Sequence, residues 1–364
     1  MKSFKKIKLS FTLATFLAFL LLQVFTAYSA EWSAPEEALT FLEDVVNLEM
    51  KDYTVVLDIY DVQHPSHFHG LAQENVVYTL ESDGDKIQAA FAFVNKTFYH
   101  CSLFLLEGDP IYSQSNKNVL DAADDVLQRF QTYSRASGKV DARDFSEMRN
   151  ALNAINKTDD VETKLGNTKL EVKTCGNDLT SLKWMSTLNG VDFPGITMEF
   201  QKGTFCTLGD NWRIYNVGST DVTVSREEAI QIALDYVEDF SWTAGDEEVT
   251  DFNVVQEPLP IELITTRSRE PLTLYPSWQI ELYLDKIYPG LVNRIFLAIW
   301  ADTGEVISCI PLSVDGQFQS DQNVANSSQL ANNPASPIGA IISVAAATII
   351  ALSLAALVIK KKRH

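Results

Sequence analysis

The chain has 364 residues, 46% of them hydrophobic and 10% aromatic, with 16 glycines and 12 prolines. That is enough apolar material for one large core or two smaller ones, and it excludes a disordered, collagen-like or low-complexity chain. Acidic residues number 48 against 29 basic ones, a net charge of −19, which argues against nucleic-acid phosphate or an anionic membrane surface as partner of the folded part.

Residues 1–30 open with Lys2, Lys5, Lys6 and Lys8, run apolar over 9–25, and close on Ala27, Ser29 and Ala30. Basic, apolar and small segments in that order make a secretory signal peptide, cleaved after Ser29 or Ala30, with an uncleaved N-terminal anchor as the alternative. Residues 31–117 then read as an N-terminal α+β lobe. Ser33, Pro35, Glu36 and Glu37 supply a capping hydroxyl, a first-turn proline and acids facing the positive helix end. Ala38, Phe41, Leu42, Val45 and Leu48 continue at helical spacing. Short β-branched and aromatic runs at 53–60, 75–80, 87–94 and 98–106, broken by Asp83-Gly84-Asp85 and Asn95-Lys96, predict a meander of antiparallel strands.

Between the first two strands stand His64, His67 and His69, in a turn-forming run with Pro65. Imidazoles at positions one, four and six of such a loop can converge on one ion, and neutral imidazole suits zinc, copper or nickel. These three are the candidate metal ligands, with Asp58 or Asp61 as nearby carboxylate; three solvated loop histidines are the alternative. The helical HExxH pattern is absent.

Residues 118–224 read as a helical hairpin and a β segment. Val119, Ala122, Ala123, Val126, Leu127, Phe130 and Tyr133 mark one helix, and Phe145, Met148, Ala151, Leu152 and Ile155 the next, with Ser137-Gly138 between them. Strands are predicted at 169–174, 182–188, 196–200 and 212–217. Asp121, Asp124 and Asp125, like Asp246, Glu247 and Glu248 further on, lack the alternating twelve-residue pattern of a calcium loop and read as solvated faces.

The third part, 225–312, begins with a capping box at Ser225 and Glu228. Ala229, Ala233, Tyr236, Val237 and Phe240 form the stripe of its helix. After an acidic turn, strands are predicted at 252–256, 278–284, 295–300 and 306–310, and 258–276 reads as an exposed loop. Helix, Trp278 strand and the closing Ala301-Asp302-Thr303-Gly304-Glu305-Val306-Ile307 turn resemble the PepSY family of exported domains over roughly a quarter of the chain. A similar helix start at Ala34-Pro35-Glu36-Glu37-Ala38 suggests a second such lobe. The resemblance implies a binding or regulatory role at the cell envelope, in some members on peptidases, and transfers no catalytic residue. Trp278, Asp302, Gly304 and Glu305, its matched positions, read physically as a core aromatic and a turn.

Cys101, Cys175, Cys206 and Cys309 all fall in the exported part, an even count that predicts two disulfides in an oxidising compartment. Three connectivities are open, and the reading leans to Cys175 with Cys206 and Cys101 with Cys309. No nucleophile elbow, phosphate loop or dinucleotide fingerprint occurs, so no enzyme is expected.

Residues 313–337, rich in Ser, Asn, Gln and Asp, read as a flexible stalk. The run 338–359 has 22 residues without a charge, about 33 Å as a helix and long enough to span a bilayer. The basic residues at 360–363 place the tail 360–364 in the cytoplasm, a removable lipid-anchor signal being the alternative. Eight basic residues belong to the two ends, so 31–337 carries 21 basic residues against 48 acidic ones, about −27. The sequence thus predicts a single-pass cell-membrane protein of α+β class with antiparallel sheets packed by helices. Its body faces outward and acts as a binding or regulatory module on a protein partner or peptidase, with no nucleic acid and no cofactor. The alternative is a zinc- or copper-binding surface protein using the His64–His69 loop.

Overall fold

The structure is a computed structural model that describes residues 33–112, 118–136, 145–156, 158, 160–176, 178–255, 260–314 and 316–317. The expected signal peptide, most of the expected stalk, the apolar run and the basic tail lie outside these residues. Among the described residues no helix is long and apolar enough to cross a membrane.

Helix α1 (Ala34–Phe41) starts at Ser33, with a first-turn proline and acids at Glu36 and Glu37. It continues as one wider turn, Leu42–Val46, which ends on Asn47 in the left-handed conformation. The wider turn brings Leu42, Val45 and Val46 inward together. The predicted meander follows as β1 (Thr54–Gln63), β2 (Gln73–Glu81), β3 (Lys86–Val94) and β4 (Thr97–Glu107). After α2 (Val119–Ala136) and α3 (Ser146–Asn153), a second meander runs β5 (Val161–Leu165), β6 (Thr168–Cys175), β7 (Leu179–Leu188), β8 (Val191–Gln201) and β9 (Thr204–Asp210).

The two meanders are one sheet, in the order β1-β2-β3-β4-β9-β8-β7-β6-β5. Their seam is short: β4 meets β9 antiparallel through His100 with Gly209, Cys101 with Leu208 and Ser102 with Thr207. Segments 31–117 and 118–224, distinct in the sequence, therefore share one sheet and one core. Helices cover one face of it. Phe41 stacks on Phe98 at 4.4 Å between ring centres and Phe130 on Phe145 at 5.8 Å. Trp184 is 1% exposed, and its indole N–H donates to the Met148 carbonyl at 3.1 Å, so the ring is buried without leaving its polar atom unpaired. Pro194 stands inside β8 where a ladder disfavours proline; the register of β7 and β8 shifts between Lys183 and Met185, a bulge that accommodates it. At this bulge a Cβ on Gly195 would lie 2.5 Å from the Trp184 carbonyl oxygen, so only glycine fits.

The chain then departs from expectation at 212–217. Asp210 accepts from the Arg213 backbone N–H and caps a short helix, α4 (Asn211–Ile214), leaving only β10 (Asn216–Val217) as strand. Helix α5 (Arg226–Val237) carries the predicted capping box: Glu228 N–H donates to Ser225 Oγ at 3.2 Å and Ser225 N–H to Glu228 Oε2 at 2.8 Å. The acidic turn is a small hairpin, β11 (Trp242–Ala244) with β12 (Glu247–Val249), and the predicted strand at 252–256 is reduced to one bridge, Val254 with Leu284. A second sheet follows, made of β13 (Ile261–Glu270), β14 (Thr273–Tyr288), β15 (Val292–Trp300), β16 (Val306–Ser313) and β17 (Gly316–Gln317), with β10 joining β14 in parallel. Ala229, Ala233 and Val237 of α5 pack on Ile280, Leu282, Leu297 and Ile299.

Of the loop expected at 258–276, residues 258 and 259 lie outside the described residues, and from Ile261 on the chain is instead the hairpin of β13 and β14. Its charges concealed it: the Arg269 guanidinium lies 4.3 Å from the Trp300 ring centre and 4.8 Å from that of Tyr275, and pairs with both oxygens of Asp302. An arginine laid on aromatic rings buries its flat face while remaining polar by hydropathy. The order of helix followed by antiparallel strands that the PepSY resemblance implies for 225–312 is present. Of the matched positions, Asp302 is thus an ion-pair partner, Trp278 donates from its ring to the Val224 carbonyl at 2.9 Å, and Gly304 takes a positive φ. The α+β class with antiparallel sheets packed by helices is what the structure shows.

Candidate functional site

The histidine loop was the sharpest local candidate for chemistry. Its middle is one tight helical turn, Ser66–Phe68, followed by His69 and Gly70 at φ 54 and 78°. An extended loop would have aligned His67 with His69; the turn separates them. His64 Nδ1 donates to the Gly70 carbonyl at 2.9 Å, His69 Nε2 lies 3.2 Å from Ser268 Oγ on β13, and the His67 ring rests against Phe68 at 4.3 Å between centres. Among the described residues no three His, Cys, Asp or Glu side chains are grouped as a metal ion requires. His64, His67 and His69 thus do not converge in this structure as the zinc or copper expectation requires.

What the turn does instead is drive Phe68 inward. That ring is 1% exposed and packs with Ala92, Val94, Tyr99 and Ile214, with Tyr215 and Leu272 alongside. Leu272 sits at the turn of the β13–β14 hairpin, so the loop is a strut between the two sheets. Phe68→Leu is expected to lower stability in urea by about 1–2 kcal/mol, while alanine at His64 or His67 changes it by no more than about 0.5 kcal/mol. Equal losses at all three positions would contradict this assignment.

The cysteines do not pair as expected. Cys101, Cys206 and Cys309 are free thiols, and the side chain of Cys175 lies outside the described residues. Cys101 is fully buried in the first core and Cys309 packs against the second, which separates the proposed Cys101–Cys309 pair. For Cys175 with Cys206, strands β7 and β8 lie between β6 and β9, roughly 14 Å at ordinary strand spacing and beyond disulfide reach. Burial pushes all three described thiols up, Cys309 to about 12, so none is poised as a nucleophile. His100 does not activate its neighbour Cys101. The two alternate across β4, and His100 Nε2 lies 2.7 Å from Ser102 Oγ on the other face.

A cleft of about 1070 Å³ opens between the first turns of α2, the end of α3 and the β8–β9 turn. Half-buried Tyr112, Val119, Leu120 and Ile155 give it apolar patches over a floor of buried Val46, Val126, Leu152, Phe200 and Phe205; Asp121, Asp124, Asp125, Arg129 and Lys202 supply its charges. Asn118 Oδ1 accepts from the Asp121 backbone N–H at 2.9 Å and its side-chain amide donates back to Asp121 at 2.8 Å, a reciprocal cap on α2. Arg149 grips Asp124 in a two-pronged pair, 2.7 Å at each contact, and Arg129 meets Asp125 at 3.4 Å while donating to the Val45 carbonyl at 3.0 Å. Lys202 and Gly203 form the tight turn, at φ 51 and 82°. Two of the three acids are thus tied to arginines. The described lining contains no His, Cys or Ser, so it offers no imidazole or thiol to act as base or nucleophile. It suits reversible binding of a largely polar segment that also offers a few apolar contacts. The sequence places the three aspartates on a solvated face and carries no local signal of a cleft there.

No family model matches the chain, and no curated protein matches it. Among solved structures it is similar to the Bacillus megaterium YpeB C-terminal domain, with 11% identity over 77% of this chain and 98% of that chain, at a TM-score of 0.29. A likeness at that score carries no argument about fold or function.

Proposed function

We propose that the protein is a membrane-tethered, outward-facing binding or regulatory module of PepSY-like kind, without catalysis of its own, whose partner is a secreted peptidase. The cleft carries this reading. Its mostly polar surface, half-buried apolar patches and internally paired charges favour reversible docking, and its described lining holds no imidazole or thiol for covalent chemistry. The leader, the apolar run at 338–359 and the acidic body support the placement outside the cell.

Two measurements test it. Protease added to intact cells should remove the body and spare a tag at the C-terminus; a fully protected body would end the outward reading. Titrating the purified full chain against a secreted peptidase of the same cells should lower its activity saturably. Lys202→Glu, at an exposed cleft position, should weaken that effect at least tenfold. No effect on peptidase activity would end the regulatory part of the reading.

A further inference from the structure

The nine-stranded sheet ends very differently on its two sides. The β5 edge has five residues and carries Glu162 and Lys164, the short and charged form that natural edges take to avoid unwanted pairing. The β1 edge has ten residues, Thr54–Gln63, with no lysine, arginine or proline, and among the described residues nothing pairs with its outer side.

Its side chains are equally exceptional. The ladder sets Leu57 opposite Tyr78, Tyr60 opposite Val76 and Val62 opposite Glu74. Residues opposite one another share a face, and Tyr78 and Val76 belong to the helix-covered core. Leu57, Tyr60 and Val62 therefore prolong the core face beyond its last covered strand, at 46, 51 and 46% exposure. Tyr60 is held in place, its hydroxyl donating to Glu74 at 2.7 Å. A bulge at Asp58 interrupts the strand, and 59–63 is an unbroken edge.

We infer that this edge takes up an extended segment of a partner protein, alternating apolar with basic residues, as a tenth strand. Backbone groups along 59–63 would supply the pairing, and Leu57, Tyr60 and Val62 the apolar contact. Charge selects the occupant. Residues 52–63 contain Asp52, Asp58 and Asp61 and no cation; on the neighbouring strand Glu81 is already paired with Lys86 and Glu74 is buried beneath Tyr60, so the aspartates of the edge itself supply the free charge. A second copy fits less well, since in any register it brings the same aspartates and no cation to the shared edge.

This inference rests on the reading of the chain as a binding module, but not on the cleft. The probe is a terminally blocked, fluorescent decapeptide of alternating lysine and valine, titrated with the full chain in detergent and followed by anisotropy. Saturable binding is expected. It should be at least tenfold weaker for the Leu57→Lys/Val62→Lys variant, and for the same peptide N-methylated at alternate residues, which removes its donors without touching the protein. Exchanging the lysines for glutamate should abolish it, and Lys202→Glu should leave it unchanged, which separates this edge from the cleft. Absence of saturable binding, or equal affinity for the N-methylated peptide, would overturn the inference. So would sedimentation showing a dimer that the Leu57→Lys/Val62→Lys variant dissolves, since a second copy would then be the occupant.

Discussion

Asp210→Ala is expected to destabilise the protein by about 3–5 kcal/mol in urea unfolding, the cost of leaving a buried charge without its partner. The side chains of Asp210 and Arg213 are 0 and 3% exposed. The carboxylate binds the guanidinium directly and also caps α4 through the Arg213 backbone N–H. Arg213 is fixed on its other sides as well, donating to Ser134 Oγ at 2.7 Å and lying 4.4 Å from the Phe130 ring centre. Without the carboxylate the guanidinium keeps its desolvation cost and loses most of its compensation. Adding Arg213→Met should recover a large part of the loss, because an apolar pair of similar volume no longer buries a charge. A single-variant loss below about 1 kcal/mol, or strictly additive effects of the two substitutions, would contradict this account.

Acid should act through His100. Burial against the seam of the sheet pulls its pKa down to about 4, against about 6.5 in the unfolded chain. Above pH 6.5 the ring is neutral in both states and contributes nothing to pH dependence. Between about 6.5 and 4 the unfolded state binds the proton and the folded state does not, so stability falls as pH falls, by about 3 kcal/mol in total. His100→Gln preserves a polar side chain for Ser102 and removes the titration. Unfolding free energies at pH 7 and pH 4 should therefore drop about 3 kcal/mol further in the native chain than in the variant. Parallel profiles for the two proteins would rule out His100 as the acid-sensitive group.

The first four strands, both long helices and the Ser225 capping box were legible because each rests on local chemistry: β-branched runs between turn residues, an apolar stripe, a side chain within reach of its own backbone. The β13 strand was not, because Arg267 and Arg269 count as polar while their guanidinium groups lie over Phe296, Tyr275 and Trp300. The short helix at Asn211–Ile214 was missed because its apolar residues fit a strand equally well, although Asp210 ahead of them is a local capping residue. The histidines were legible as a turn and illegible as a site. Pro65 announced the turn, but Phe68 determined which way it faced, and that depends on an apolar hollow assembled from Val94, Tyr99 and Ile214, far apart in sequence. The cleft was hidden for the same reason, since α2 and the β8–β9 turn meet only in the folded chain.

The three-residue seam between β4 and β9 also sets the order in which the large sheet can be built. Every other ladder in that sheet joins strands adjacent in the chain, so each meander can zip up from its own hairpins with little loss of chain freedom. Among the ladders of that sheet the seam alone joins residues about a hundred positions apart, the kind of contact whose closure entropy is met late. The two meanders are then expected to nucleate separately, with their union and the completion of the shared core as the slow step. In amide hydrogen exchange the few protons on Cys101 and its neighbours should report the opening of one half from the other, ahead of the unfolding of either.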